Sequence, residues 1–141
     1  MKVSQKVEYA MRAMVELALH AGQGGVVRTA DIARNQRIPG KFLELILVEL
    51  RRAGLVVSQR GAEGGHRLAR EPEAISVGDI WRAVDASLAE TPPDSGKAAN
   101  DPFRGVCEAL DKSIARVVDG TSLADLKKRV EARRNAPDYA I

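Results

Sequence analysis

The stretch over residues 55–69 constrains the fold more than any other. Leu55-Val56-Val57-Ser58-Gln59-Arg60 reads as a strand, and His66-Arg67-Leu68-Ala69 as a returning one. Between them Gly61, Gly64 and Gly65 place three glycines in five residues, the composition of a tight hairpin turn. Alone, this is a glycine hairpin flanked by Arg60 and Arg67. What precedes it decides its meaning.

Upstream, Val7, Ala10, Met11, Met14, Leu17, Ala18 and Ala21 recur at helical spacing, and Gly22-Gln23-Gly24-Gly25 ends that helix. Val26 and Val27 form a short extended piece. Thr29 stands where an N-cap belongs, ahead of a short second helix that stops near Arg37-Ile38-Pro39-Gly40. A third helix places Leu43, Ile46, Leu47 and Leu50 on one face, and Gly54 closes it as a left-handed cap. Helix, short strand, helix, helix, hairpin is the order of a winged helix-turn-helix.

After Pro72, Ser76 opens a fourth helix with Val77, Ile80, Trp81 and Val84 inward. Residues 91–100 have a linker's composition. From Pro102 on, Val106, Leu110, Ile114, Val117 and Val118 repeat at helical spacing for about five turns. Thr121 is expected to cap a last helix bearing Leu123, Leu126 and Val130. The expected fold is mainly α with a small β-hairpin wing. It divides into a winged helix-turn-helix domain over 1–86, a flexible loop over 87–101, a dimerisation helix with the terminal helix over 102–134, and a tail over 135–141.

The net charge of +3 is unevenly spread: residues 1–70 hold 12 Lys and Arg against 6 Asp and Glu, whereas 71–141 hold 10 against 13. A basic front half suits a polyanion partner. No apolar run approaches the roughly 18 residues of a membrane span, and the N-terminus lacks a signal-peptide core. One cysteine excludes an intramolecular disulfide framework, so the expected location is cytoplasmic, with no membrane partner. His20 and His66 stand without a Cys or second His at ligand spacing, so no metal site is expected. No nucleophile triad, carboxylate pair or phosphate loop stands out, which argues against an enzyme.

Double-stranded DNA is the partner this arrangement fits. The second helix of a helix-turn-helix enters the major groove N-terminus first, and here it begins at Gly40-Lys41-Phe42. Gly40 leaves room for the duplex, and Lys41 can reach a phosphate or guanine. Glu44 either accepts from a cytosine amino group or is a solvated position, or a partner of Lys41. The glycines at 61, 64 and 65 let the wing lie against the backbone, with Arg60 and Arg67 suited to phosphates or a narrow minor groove. Lys2, Lys6, Thr29, Arg51 and Arg52 are expected phosphate contacts, and His66 is expected to touch the backbone.

Several segments carry a family resemblance. They include Lys6-Val7-Glu8-Tyr9-Ala10-Met11-Arg12-Ala13-Met14, Phe42-Leu43-Glu44, Leu50-Arg51-Arg52-Ala53-Gly54-Leu55-Val56, Ile75-Ser76-Val77-Gly78-Asp79-Ile80 and Thr121-Ser122-Leu123-Ala124-Asp125-Leu126. With them the chain resembles the Rrf2 (BadM-type) bacterial transcription regulators from residue 2 to about 126. The resemblance implies a homodimer on a palindromic operator, and the expected role is a sequence-specific repressor or dual regulator. The helix near 103–119 would cross its partner. Well-known members hold an iron–sulfur cluster on three cysteines ahead of that helix. Residues 87–104 here contain none, Asp101 stands where the last would sit, and no cofactor is expected. Cys107 is either a redox sensor or a buried apolar residue. Trp81 is either an effector contact or core, the effector being a small molecule or a protein. An alternative role is a regulatory interaction protein working through a complex with a metabolic enzyme.

Overall fold

In the computed structural model, residues 3–88 and 101–135 are described. The expected loop over 87–101 therefore lies mostly outside the described residues, as do Lys2 and nearly all of the expected tail. Six helices and one hairpin follow in order: α1 (Gln5–Leu19), α2 (Thr29–Gln36), α3 (Gly40–Arg52), β1 (Val56–Gln59), β2 (Gly65–Leu68), α4 (Val77–Val84), α5 (Pro102–Asp119) and α6 (Leu123–Asn135). Mainly helical with a two-stranded wing, this is the fold class the sequence implies.

α1 is the axle of the core. Ser4 caps it by accepting from the Val7 amide, and Val7, Ala10, Ala13, Met14, Leu17 and Ala18 are buried along it. α2, α3, α4 and α6 pack around that stripe. They add Ile32, Leu43, Ile46, Leu50, Ile80 and Leu123, all fully buried. Each such side chain contributes roughly 1.5–3 kcal/mol on leaving water, which is why these helices form.

Three caps set the angles between elements. α3 ends in a Schellman motif: the Leu55 amide donates to the Leu50 carbonyl and the Gly54 amide to Arg51, each at 3.0 Å. Gly54 takes φ 77°, so the chain can turn straight into β1. α4 starts with a capping box, Ser76 and Asp79 each bonding the other's backbone amide. α6 starts with the same device one residue later than the sequence suggests. Ser122 and Asp125 form the box, while the Thr121 hydroxyl donates to Val117 O. Ser76 and Ser122 also pair as an antiparallel bridge, so α4 and α6 leave from adjoining strands.

Among the described residues Glu16 is the one buried charge, 3% exposed. Asn35 and Gln36 donate to its two carboxylate oxygens at 2.9 and 2.7 Å. A buried carboxylate needs such partners, and this one fastens the end of α2 to α1. Arg37 then adopts a left-handed φ of 54° and turns the chain toward α3.

Candidate nucleic-acid interface

α3 divides sharply. Its inner face, Leu43, Ile46, Leu47 and Leu50, is buried, and Lys41, Phe42, Glu44, Leu45, Arg51 and Arg52 are exposed. No side chain caps its N-terminus, where Gly40 is open to solvent. The first amide groups are therefore free to meet a phosphate. Lys41, Arg52, Arg60 and Arg67 have no hydrogen-bond or ion-pair partner among the described residues, and Glu44 makes no ion pair with Lys41. Phe42 stands edge-on to Tyr9, ring centroids 5.5 Å apart, and keeps 38% exposure.

The hairpin is held to the helices by polar bonds. β1 and β2 pair antiparallel from Val56↔Leu68 to Gln59↔Gly65. Val27 bridges to His66 on the far side, its amide and carbonyl both engaged at 2.8 Å, so the wing is in effect a three-stranded edge. The His66 ring is the central knot. Its Nε2 lies 2.7 Å from Thr29 Oγ1 and its Nδ1 2.8 Å from Ser58 Oγ. A neutral imidazole suits this, giving one N–H and taking one O–H. Partial burial, and secondarily the Arg51 guanidinium, hold its pKa below the ordinary 6.5. Near the tip, Arg28 donates to the Ala62 carbonyl at 2.5 Å.

These bonds revise several sequence expectations. Thr29 lies inside α2, with Arg28 at the N-cap position, and its hydroxyl is engaged with His66. His66 likewise has both ring nitrogens occupied within the chain. Lys6 is 2.8 Å from Glu49 on α3, an internal pair that competes with any phosphate. Of the tip glycines only Gly61 is open. Gly64 is buried, a Cβ there colliding with the Gln59 carbonyl, and Gly65 would meet Val27 O at 2.7 Å. Gly64 is glycine because the hairpin's own backbone closes over it, and Gly65 because the Val26–Val27 segment does.

Leu45, 65% exposed in the middle of the outward face of α3, was missed in the sequence. The signal was present, since position 45 lies off the 43/46/47/50 stripe. Arg28 was also missed, because nothing local to it announces a bond 34 residues away.

At the other end of the molecule, α5 leaves Phe103, Val106, Leu110 and Val117 exposed at 51–65%. Ile114 is half-buried. Val118 departs from the expected dimer set: it is 6% exposed, covered by its own chain. Arg82 of α4 grips Asp119 with two bonds of 2.7 and 2.9 Å, fixing α5 to the helical core and holding the Asp119 carboxyl below its usual range. Trp81 is half-buried beside a shallow hollow of 370 Å³ that Val3, Met11 and Val77 also line.

The sequence profile of the Rrf2 family, described as iron-dependent transcriptional regulator, matches residues 3–129. The chain belongs to the Rrf2 family. Among relatives, the HTH-type transcriptional regulator IscR of Aliivibrio salmonicida is 39% identical over 130 residues, covering 89% of this chain and 77% of that protein. The HTH-type transcriptional regulator CymR of Bacillus subtilis is 34% identical over 141 residues, all of both chains. The solved structure of T. potens IscR superposes with a TM-score of 0.80 at 40% identity, covering 99% of this chain and 95% of that one. This Rrf2 protein is thus a winged-helix, DNA-binding transcriptional regulator and not an enzyme. Among the described residues no helix is long and apolar enough to cross a membrane.

The family's iron finds no matching donors here. The sequence has one cysteine, Cys107, half-buried on α5, and no group of three His, Cys, Asp or Glu could hold a metal among the described residues. The three cysteines that the resemblance leads one to expect have no counterpart, and two chains together bring only two cysteines.

Proposed function

We propose that this regulator represses transcription as a homodimer on a palindromic operator without an iron–sulfur cluster. The observation behind this is the juxtaposition of an uncapped α3 N-terminus with a wing whose arginines are unpaired. α3 reads bases through Lys41, Phe42, Glu44 and Leu45, and Gly40 lets its first turn approach closely. Arg51, Arg52, Arg60 and Arg67 contact phosphates or the flanking minor groove, with Gly61 at the point of closest approach. His66, Thr29, Gly64 and Gly65 serve the same surface indirectly, by fixing the wing's height above α2.

The dimer reading rests on the exposed stripe of α5. Phe103, Val106, Leu110 and Val117 follow one another at intervals of three, four and seven, the spacing by which one helix face meets another. A second copy satisfies it symmetrically, and two recognition helices related by a two-fold match a palindrome. In this division α5 serves dimerisation, whereas α6, whose Leu123 joins the core, belongs with the DNA-binding body. Protection mapping upstream of the gene itself, with light scattering on the same sample, tests the whole. Two protected half-sites about one helical turn apart and twice the chain mass are expected. A monomer, or protection of one half-site only, would overturn the proposal.

A further inference from the structure

A groove of 450 Å³ runs between α1, the end of α2 and α6, away from both the wing and the exposed stripe of α5. Met11 and Val15 of α1 and Leu126 and Val130 of α6 form its apolar part. Arg12, Arg129, Arg133 and Arg134 surround them, and no carboxylate lines it. Among the described residues, three nearby acids are engaged elsewhere, and Glu8, one turn before Arg12 on α1, lies outside the groove's lining. Glu16 is buried under Asn35 and Gln36, Asp125 caps α6, and Glu131 lies 3.8 Å from Lys127. Arg12 stacks over the Tyr9 ring at 5.7 Å, and Arg133 and Arg134 have no hydrogen-bond or ion-pair partner among the described residues. Arg129 only pulls electrostatically on Asp125.

Four guanidinium groups around an uncompensated apolar floor repel one another unless an anion joins them. We infer that this groove is a binding site for an amphipathic organic anion, an apolar body bearing a carboxylate or comparable oxyanion. The volume falls in the range of about 300–1,000 Å³ usual for small-ligand sites. The apolar floor spans a single turn on each helix, too short for the three-turn stripe of a docked amphipathic peptide. Guanidinium forks bind planar oxyanions through paired hydrogen bonds, and the floor takes the apolar body. A bound anion would also touch Asn35 and Gln36, which fasten α2 one residue before the turn into α3.

The test uses anilinonaphthalene sulfonate, a fluorescent amphipathic anion, titrated into the whole 141-residue chain. One bound probe per chain is expected, displaced by decanoate but not by decanol, decyltrimethylammonium or inorganic phosphate. Arg129→Ala/Arg133→Ala should bind it at least about tenfold more weakly while keeping operator affinity and melting temperature. Unchanged affinity in that variant would overturn the inference, as would equal displacement by decanol, which marks an ordinary apolar patch. Binding seen only in a Leu110→Asp monomer would mean that a second copy closes the groove, and also overturns it. A lower salt slope of operator binding in Arg133→Ala/Arg134→Ala would instead assign those arginines to DNA. Probe binding does not depend on operator binding, so this result and that of the repressor proposal can fail separately.

Discussion

The two ends of this molecule are finished in opposite ways. Around α3 and the wing, the core-facing apolar side chains are buried, Phe42, Leu45 and Val57 stay exposed, and Lys41, Arg52, Arg60 and Arg67 stand in solvent with no partner among the described residues. Along α5, apolar side chains are in solvent from the first turn to the last, with Phe103 and Val117 more than 60% exposed. Unpaired cations carry little cost in water and become favourable against a polyanion through counterion release. An apolar stripe gains only by meeting another apolar surface. In the proposed reading, one end is a cationic surface for nucleic acid and the other an apolar surface that a second copy covers.

The sharpest way to break this contrast is to make the α5 end resemble the wing end. Leu110→Asp puts a charge in the middle of the stripe, where it costs nothing in the monomer and several kcal/mol in a buried interface. The variant should scatter light as a monomer, keep its helical circular dichroism, and bind a full operator about a hundredfold more weakly through loss of the second half-site. A Leu110→Asp protein that stays dimeric would show that the stripe is not the interface. Next in size is the reverse operation on the wing. Arg60→Ala/Arg67→Ala should weaken operator binding about thirtyfold at low salt and reduce the slope of log affinity on log salt by nearly two. Dimer mass should not change. A slope equal to wild type would remove both arginines from the contact.

Glu44→Gln is smaller and qualitatively different. The carboxylate faces solvent without a partner, so against DNA it repels phosphates and repays that only by accepting from a base. Its loss should raise affinity for random DNA slightly and shrink the preference for the native base pair by about fivefold. Competition binding across single-base operator variants would read this. If neither quantity moves, Glu44 is a solvated position and the reading surface shifts to Lys41, Phe42 and Leu45.

How much of this was written in the sequence follows from how local each signal is. The helices were legible because their periodicity is local: the 43/46/47/50 stripe predicts the buried face of α3 residue by residue. Gly54 was legible because a left-handed cap is a one-residue requirement. The roles of Thr29 and His66 were not, although both residues were singled out. Thr29 looks like an N-cap in isolation and His66 like a free wing side chain, and only the fold brings them within 2.7 Å across 37 residues. Glu16 shows the same limit, since a Glu in an apolar helical stripe looks like a solvated position until Asn35 and Gln36 are found above it. Gly64 and Gly65 read in the sequence as room for DNA approach, whereas the fold shows that the hairpin's backbone crowds the first and the Val26–Val27 segment the second. The bonds of Thr29, His66 and Glu16 are hidden in the sequence because they join elements distant in the chain.

The smallest predicted effect tests the join between the wing and the helices. His66 is held neutral in the fold, its pKa lowered from 6.5 by burial and then by Arg51. Between that lowered value and 6.5 the unfolded chain binds more protons than the folded one, so stability rises with pH across this window. The contribution is complete above 6.5, and it is lost as pH falls toward the folded-state value. Protonation also makes both ring nitrogens donors, breaking whichever hydroxyl bond used the imidazole as acceptor. Lowering pH from 7.5 to 5.5 should therefore reduce the melting temperature. Operator affinity at fixed salt should fall modestly over the same range as the wing loosens from α2. His66→Gln keeps a donor and an acceptor without the titration, so it should flatten this part of both profiles. A His66→Gln protein with the wild-type pH dependence would place the titrating group elsewhere and leave His66 as packing alone.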